Sequence, residues 1–139
     1  MSLNGFRQLF REPWMINAAQ ILQYLMAVLA GFMAALGVAN PQFLAQTVSA
    51  PVIVSVGVTL IIGGAIGALS VSRGMWWLER IALWIVGVGL GALLIPATYY
   101  AFNGRSPAIW LVLFLVVYSL CDVFKRYRRI DWAYLDPAK

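Results

Sequence analysis

Between Val52 and Ser70 the chain carries no charged residue, and within this run Ser55, Thr59, Gly63 and Gly67 recur at every fourth position. On an α-helix that spacing stacks four side chains no larger than threonine into one ridge. Gly57 and Gly64 thin the helix further. In water, glycine costs a helix about 1 kcal/mol per residue against alanine. Here the filler is Val, Ile, Leu and Ala, and the stretch from Pro51 to Gly74 is long enough to cross a bilayer core. A membrane span with a groove for a second helix satisfies both observations, and it reads as the seam of a small bundle.

Composition carries this reading to the whole chain. Of 139 residues, 63% are hydrophobic and 11% charged, with a mean hydropathy of +0.84. Globular domains are about a quarter charged, so a water-soluble shell is excluded. All ten Lys and Arg fall outside the apolar runs. The net charge of +5 therefore points to membrane orientation and contact with anionic lipid rather than to nucleic acid. With no histidine and the single cysteine Cys121, an internal disulfide and a Cys/His zinc site are both excluded. The expected fold is all-α: residues 1–139 as one polytopic domain of four transmembrane helices, spanning about 15–39, 51–71, 78–101 and 107–124.

Met1 to Trp14 reads as an amphipathic lead-in, with Leu3, Phe6, Leu9 and Phe10 at helical spacing and Arg7 and Arg11 on the other side. Span one groups Asn17, Gln20 and Tyr24 on one face, and the same face continues as Ala27, Gly31 and Ala35. Side-chain amides facing lipid lack partners, so this stripe faces protein or water. Interhelical hydrogen bonding, worth about 0.6 kcal/mol per bond, is favoured over a wet pore lining. A cleaved signal peptide is not expected, because the apolar run is too long and carries three amides.

The loop from Asn40 to Ala50 has no charge, and Gly74 is the expected stop of span two. Trp76 and Trp77 suit the headgroup layer, with Glu79 in an interfacial ion pair beside Arg73 and Arg80. Span three holds the pair Gly87 and Gly91, with Gly89 on the other face. Pro96 removes a hydrogen bond to Ala92 and predicts a kink, with Thr98 placed to satisfy freed carbonyls. Ser106 and Pro107 cap and open span four, whose bulky residues Ala108 to Cys121 show no small ridge and are expected to see most lipid. Asp122 is placed to pair with Arg126. Lys125, Arg126, Arg128 and Arg129 form a basic cluster for lipid headgroups, worth about 4 kcal/mol at about 1 kcal/mol each.

With the amino terminus inside, Arg7, Arg11, Arg73, Arg80, Lys125, Arg126, Arg128, Arg129 and Lys139 are cytoplasmic, and Arg105 alone is outside. That bias orients the protein in the cytoplasmic (inner) membrane with both termini in the cytoplasm. No ionisable residue occupies the centre of a span, as pumps and proton-coupled carriers require. A phosphate-binding loop is absent, and without histidine the usual triads are excluded. Asp122, Asp131 and Asp136 sit among Lys and Arg, which favours charge balance over a metal ion. No enzyme activity, cofactor or metal is expected.

At Trp76-Trp77-Leu78-Glu79-Arg80 and in the basic, Asp-Pro-ended tail from Arg126 to Lys139, the chain resembles small four-span membrane proteins encoded by bacteriophages, some of them called holins. The resemblance implies a cell-envelope protein of a bacterium or its phage and transfers no functional residue. Three roles fit the sequence. The favoured one is an accessory, scaffold or exclusion-type partner of a larger membrane assembly. The alternatives are a holin-like permeability protein that self-associates and a small transporter or lipid flippase with Pro96 as hinge. If the small ridges of spans one to three form the seam, Gly63→Leu or Gly67→Leu lowers stability in detergent far more than Leu113→Ala on span four.

Overall fold

Apolar runs without interior charge leave the backbone as the main polar load, and a helix satisfies that load internally. Four helices result, α1 (Trp14–Ala35), α2 (Ala50–Arg73), α3 (Trp76–Asn103) and α4 (Ala108–Leu135). They come from a computed structural model that describes residues 14–37, 50–103 and 108–135. The amphipathic lead-in, the loop after Gly37 and the cap at Ser106 and Pro107 lie outside the described residues. So does the end of the tail from Asp136. The described chain is all-α, and α1, α2 and α3 are long and apolar enough to cross a membrane. α4 is as long as α3, but its apolar run gives way to Asp122, Lys125 and Arg126.

Glycine sets two of the helix ends. Gly74 adopts φ 66°, a left-handed conformation that other residues enter at a cost. Its N–H donates to the Val71 carbonyl at 3.2 Å and that of Met75 to Ser70 at 2.9 Å, the paired bonds of a Schellman stop. α3 begins two residues later, so the connection is tight. Gly37 is likewise left-handed, at φ 68°, with its N–H donating to Ala34 at 3.2 Å, and the helix stops at Ala35 rather than near Ala39. α4 departs further from expectation. It runs on to Leu135, so the basic cluster is a continuation of the helix rather than a tail beyond it.

Each helix packs chiefly on the next in sequence, α1 on α2, α2 on α3 and α3 on α4. Contacts run in opposite senses along each pair: Tyr24 meets Gly67 and Gly31 meets Gly57, while Gly63 meets Val86 and Leu60 meets Gly89. The bundle is therefore antiparallel throughout, with its main core at the end that carries Gly74. Tyr24, Leu60, Leu83, Val86 and Ile130 meet there. A second core of Ala97, Ala101, Ile109 and Leu113 closes α3 on α4 at the other end.

The ridge on α2 divides between two neighbours. A step of four residues turns about 40° past a full helical turn, so a ridge of four such residues wraps around the helix instead of running along it. Ser55 is exposed and donates to the carbonyl of Val52 in its own helix, and half-buried Thr59 does the same to Ser55. Gly63 faces α3, where an added Cβ would lie 2.8 Å from a Val86 methyl. Gly67 lies under the Tyr24 ring of α1. The close approach to α1 is made instead by Gly57 and Gly64, seven residues apart and thus nearly on one face. A Cβ at Gly64 would stand 2.7 Å from the Tyr24 carbonyl oxygen, and one at Gly57 2.8 Å from the Ala35 nitrogen. Gly31 faces Ile61 and Gly57, whereas Ala27 is half-buried.

On α3 the expected pair loosens. Gly87 meets a Val123 methyl of α4 at 3.6 Å from an added Cβ, and Gly91 has nothing within 4 Å. Gly89, assigned from sequence to the other face, takes Leu60 of α2. Pro96 is buried inside α3, which continues through it, and Thr98 donates to Leu94 at 2.8 Å rather than to Ala92. α4 is less peripheral than its bulk suggested, because Ile109, Leu113 and Ile130 are all buried. Leu113 is consequently no neutral reference, since core Leu→Ala substitutions cost about 2–5 kcal/mol. Thermal unfolding in detergent should show a large loss for Gly64→Leu and little change for exposed Leu115→Ala. Gly91→Ala should gain up to about 1 kcal/mol from helix propensity in its open surroundings.

Candidate functional site

Polar side chains from four helices converge near the Gly74 end. The stripe of α1 supplies Gln20 and Tyr24, both buried, because a spacing of four keeps them on the face turned into the bundle. Asn17, one turn nearer the start, is half-buried. α2 contributes Gly67, whose missing side chain admits the Tyr24 ring. It also contributes Ser70, fully buried, whose hydroxyl donates to the Gly67 carbonyl at 2.8 Å. α3 brings Glu79 and α4 brings Arg126.

Glu79 and Arg126 form the centre. Arg126 Nε donates to Glu79 Oε1 at 2.9 Å and Nη2 to Oε2 at 3.3 Å, a two-pronged pairing that fixes both planes. Glu79 is 4% exposed, and among the described residues it is the one charged residue that is buried. The interfacial pair expected with Arg73 or Arg80 is thus an interior pair with α4. Placement in the first turn of α3 helps, because the amino-terminal end of a helix favours negative charge. The carboxylate is held without solvent because both of its oxygens receive charge-assisted hydrogen bonds.

Two further contacts tie α4 down. Gln23 Nε2 donates to Asp122 Oδ2 at 2.7 Å, linking α1 directly to α4. Arg80 Nη2 donates to the Tyr127 hydroxyl at 3.0 Å, and its guanidinium lies 5.1 Å from the Tyr127 ring centre. Trp84 meets the same ring edge-on at 5.9 Å. The continued helix sorts the basic cluster by face. Arg126 turns inward, while Lys125, Arg128 and Arg129 are exposed.

Of the residues singled out in the sequence, the structure brings Gln20, Tyr24, Gly67 and Arg126 together. Pro96 lies in the second core at the far end. Glu79 as an interior group, Gln23 and the inward turn of Arg126 were missed. A signal for the last was present, since Asp122, Arg126 and Ile130 share one face at four-residue spacing and continue the face of an apolar helix.

Three helices of membrane-crossing length, bearing bulky apolar side chains on their outer faces, make this a helical membrane protein. No family model, no curated protein and no solved structure matches the chain. The site is accordingly defined by its own geometry: a buried ion pair bridging α3 and α4, flanked by the polar stripe of α1. Replacing Arg126 by Met leaves Glu79 buried and unpaired and should cost about 3–5 kcal/mol. Lys125→Met, one residue away on the exposed face, should change thermal stability by less than about 0.5 kcal/mol.

Proposed function

We propose that the chain is a four-span protein of a bacterial cytoplasmic membrane, with both termini inside, acting without catalysis as an accessory, scaffold or exclusion-type partner of a larger membrane assembly. The observation that carries this reading is that two of the three stripe residues of α1 turn into the same chain, Asn17 being half-buried. Gln20 and Tyr24 are buried, and Gln23 is bonded to Asp122. A holin-like pore needs such a stripe open to water or to a second copy. Gly31, Gly57 and Gly64 are likewise filled by neighbours in the same chain, which leaves Gly91 of α3 as the open glycine among those of the α1–α3 ridges.

Most of the outward surface of α1 and α4 is bulky. Leu25, Leu29 and Phe32 on α1 and Leu111, Phe114 and Tyr118 on α4 offer lipid or a partner helix an apolar surface. α4 completes the fourth span in this reading. Its run from Ala108 to Cys121 is uncharged, and Asp122 and Arg126 beyond it have partners that lower the cost of placing them in the inner leaflet. Lys125, Arg128 and Arg129 then lie at the anionic cytoplasmic surface. The resemblance to phage-encoded four-span proteins fits the same compartment. A carrier is less supported, because buried Pro96 sits in a helix that continues through it and the buried carboxylate is already paired.

Expression in bacteria separates the readings. The accessory role predicts unchanged membrane potential and no entry of a membrane-impermeant dye at high expression, whereas rapid depolarisation with dye entry would favour the permeability protein. Topology has its own check. In a Cys121→Ala background, Arg105→Cys should react with an impermeant thiol reagent in intact spheroplasts. Lys139→Cys should react only after the membrane is opened, and the reverse pattern would invert the orientation.

A further inference from the structure

One edge of α3 touches α4 at both ends and stands open in the middle. Arg80, Trp84, Gly87 and Gly91 follow one another at steps of four and three, so they share a face of the helix. Arg80 donates to the Tyr127 hydroxyl of α4, Trp84 meets the Tyr127 ring edge-on, and Gly87 faces a Val123 methyl. Eleven residues beyond Gly91 on the same face, Phe102 meets Trp110 at 5.3 Å. Between these contacts Gly91 has nothing within 4 Å of an added Cβ, and it is partly exposed. A second helix approaches closely only where small residues recur at successive turns. Here Gly87 is taken by Val123, and Val88 and Ile95, a turn to either side of Gly91, are bulky and exposed. The gap therefore suits a single flexible hydrocarbon chain better than another backbone.

The inner end of this edge supplies the charge. Phe124 and Arg128, one turn apart on α4 and on either side of Tyr127, are both exposed. Arg128 has no hydrogen bond or ion pair among the described residues. The nearby acids are spent elsewhere, Glu79 on Arg126 and Asp122 on Gln23. From Arg80 to Gly91 the helix rises about 17 Å, close to the half-thickness of a hydrocarbon core, about 15 Å. A chain anchored at the level of Arg80 thus ends near Gly91. We propose that this edge of the α3–α4 pair binds one anionic phospholipid of the cytoplasmic leaflet, its phosphate at Arg128 and one acyl chain passing Trp84 into the gap at Gly91. Lys125 lies about 160° round the helix from Tyr127 and is outside the site. The inference rests on the membrane placement of α4 proposed above, which thiol labelling tests separately.

Native mass spectrometry of the full chain, released from detergent micelles after addition of phosphatidylglycerol or phosphatidylcholine, reads the site whatever the orientation in the cell. One phosphatidylglycerol should be retained in preference to phosphatidylcholine. Arg128→Gln should weaken that first adduct by at least about fivefold, the worth of one cation at an anionic surface, and Lys125→Gln, an equal loss of charge, by less than about twofold. Gly91→Leu, which fills the gap, should also weaken it. Equal effects of the two cation substitutions would mean diffuse surface charge and overturn the proposal. So would an adduct indifferent to Gly91→Leu, because a headgroup or free phosphate bound without its chain does not sense that position. A protein dimer that Gly91→Leu disrupts would give the gap to a second copy and overturn it as well.

Discussion

A carboxylate and a guanidinium, placed on different helices and shielded from water, hold the Gly74 end of this bundle together. Neither Glu79 nor Arg126 is tolerable alone in that position, because an unpaired buried charge costs several kcal/mol. The pair therefore does more than stabilise: α4 has to lie where Arg126 reaches α3, which sets both its rotation and its register. The Gln23–Asp122 bond and the Arg80–Tyr127 contact fall on the same stretch of α4. Together they anchor the segment that carries Lys125, Arg128 and Arg129 with those three facing outward.

Close packing of α1 on α2 supports this arrangement. Lipid tails are as apolar as the side chains they would replace, so burying leucine gives two membrane helices little reason to associate. Backbones that approach over Gly31, Gly57 and Gly64 gain dispersion contacts and place Tyr24 over Gly67. The Tyr24 hydroxyl is thereby delivered to the ion pair. The small residues of α2 and the charges of α3 and α4 act on one core.

Much of the architecture was legible because long apolar runs admit one backbone solution in a bilayer. The all-α class, the three long apolar helices and the stop at Gly74 follow from local chemistry, whereas the run of α4 to Leu135 does not. Which face meets which neighbour did not. Ser55, Thr59, Gly63 and Gly67 look like one ridge on paper, but the 40° drift per step carries them from an exposed face to two different helices. Gly57 and Gly64, at seven-residue spacing, make the contact that the ridge was expected to make. The interior role of Glu79 was hidden for another reason. Beside tryptophans and arginines it reads as an interfacial charge, and only the unbroken continuation of α4 past Cys121 brings Arg126 to it. The inward turn of Gln20 and Tyr24 was readable, since polar side chains avoid lipid; their proximity to an ion pair was not.

The central claim is that Glu79 and Arg126 act as one unit. A double-mutant cycle with Glu79→Gln and Arg126→Met, measured by reversible unfolding in bicelles, isolates their coupling from the effect of each substitution alone. A coupling free energy of about 2–3 kcal/mol is predicted, at the upper end for residues in direct contact. Additive effects, with coupling within about 0.5 kcal/mol of zero, would show that the two charges are not paired in the membrane and would contradict the account.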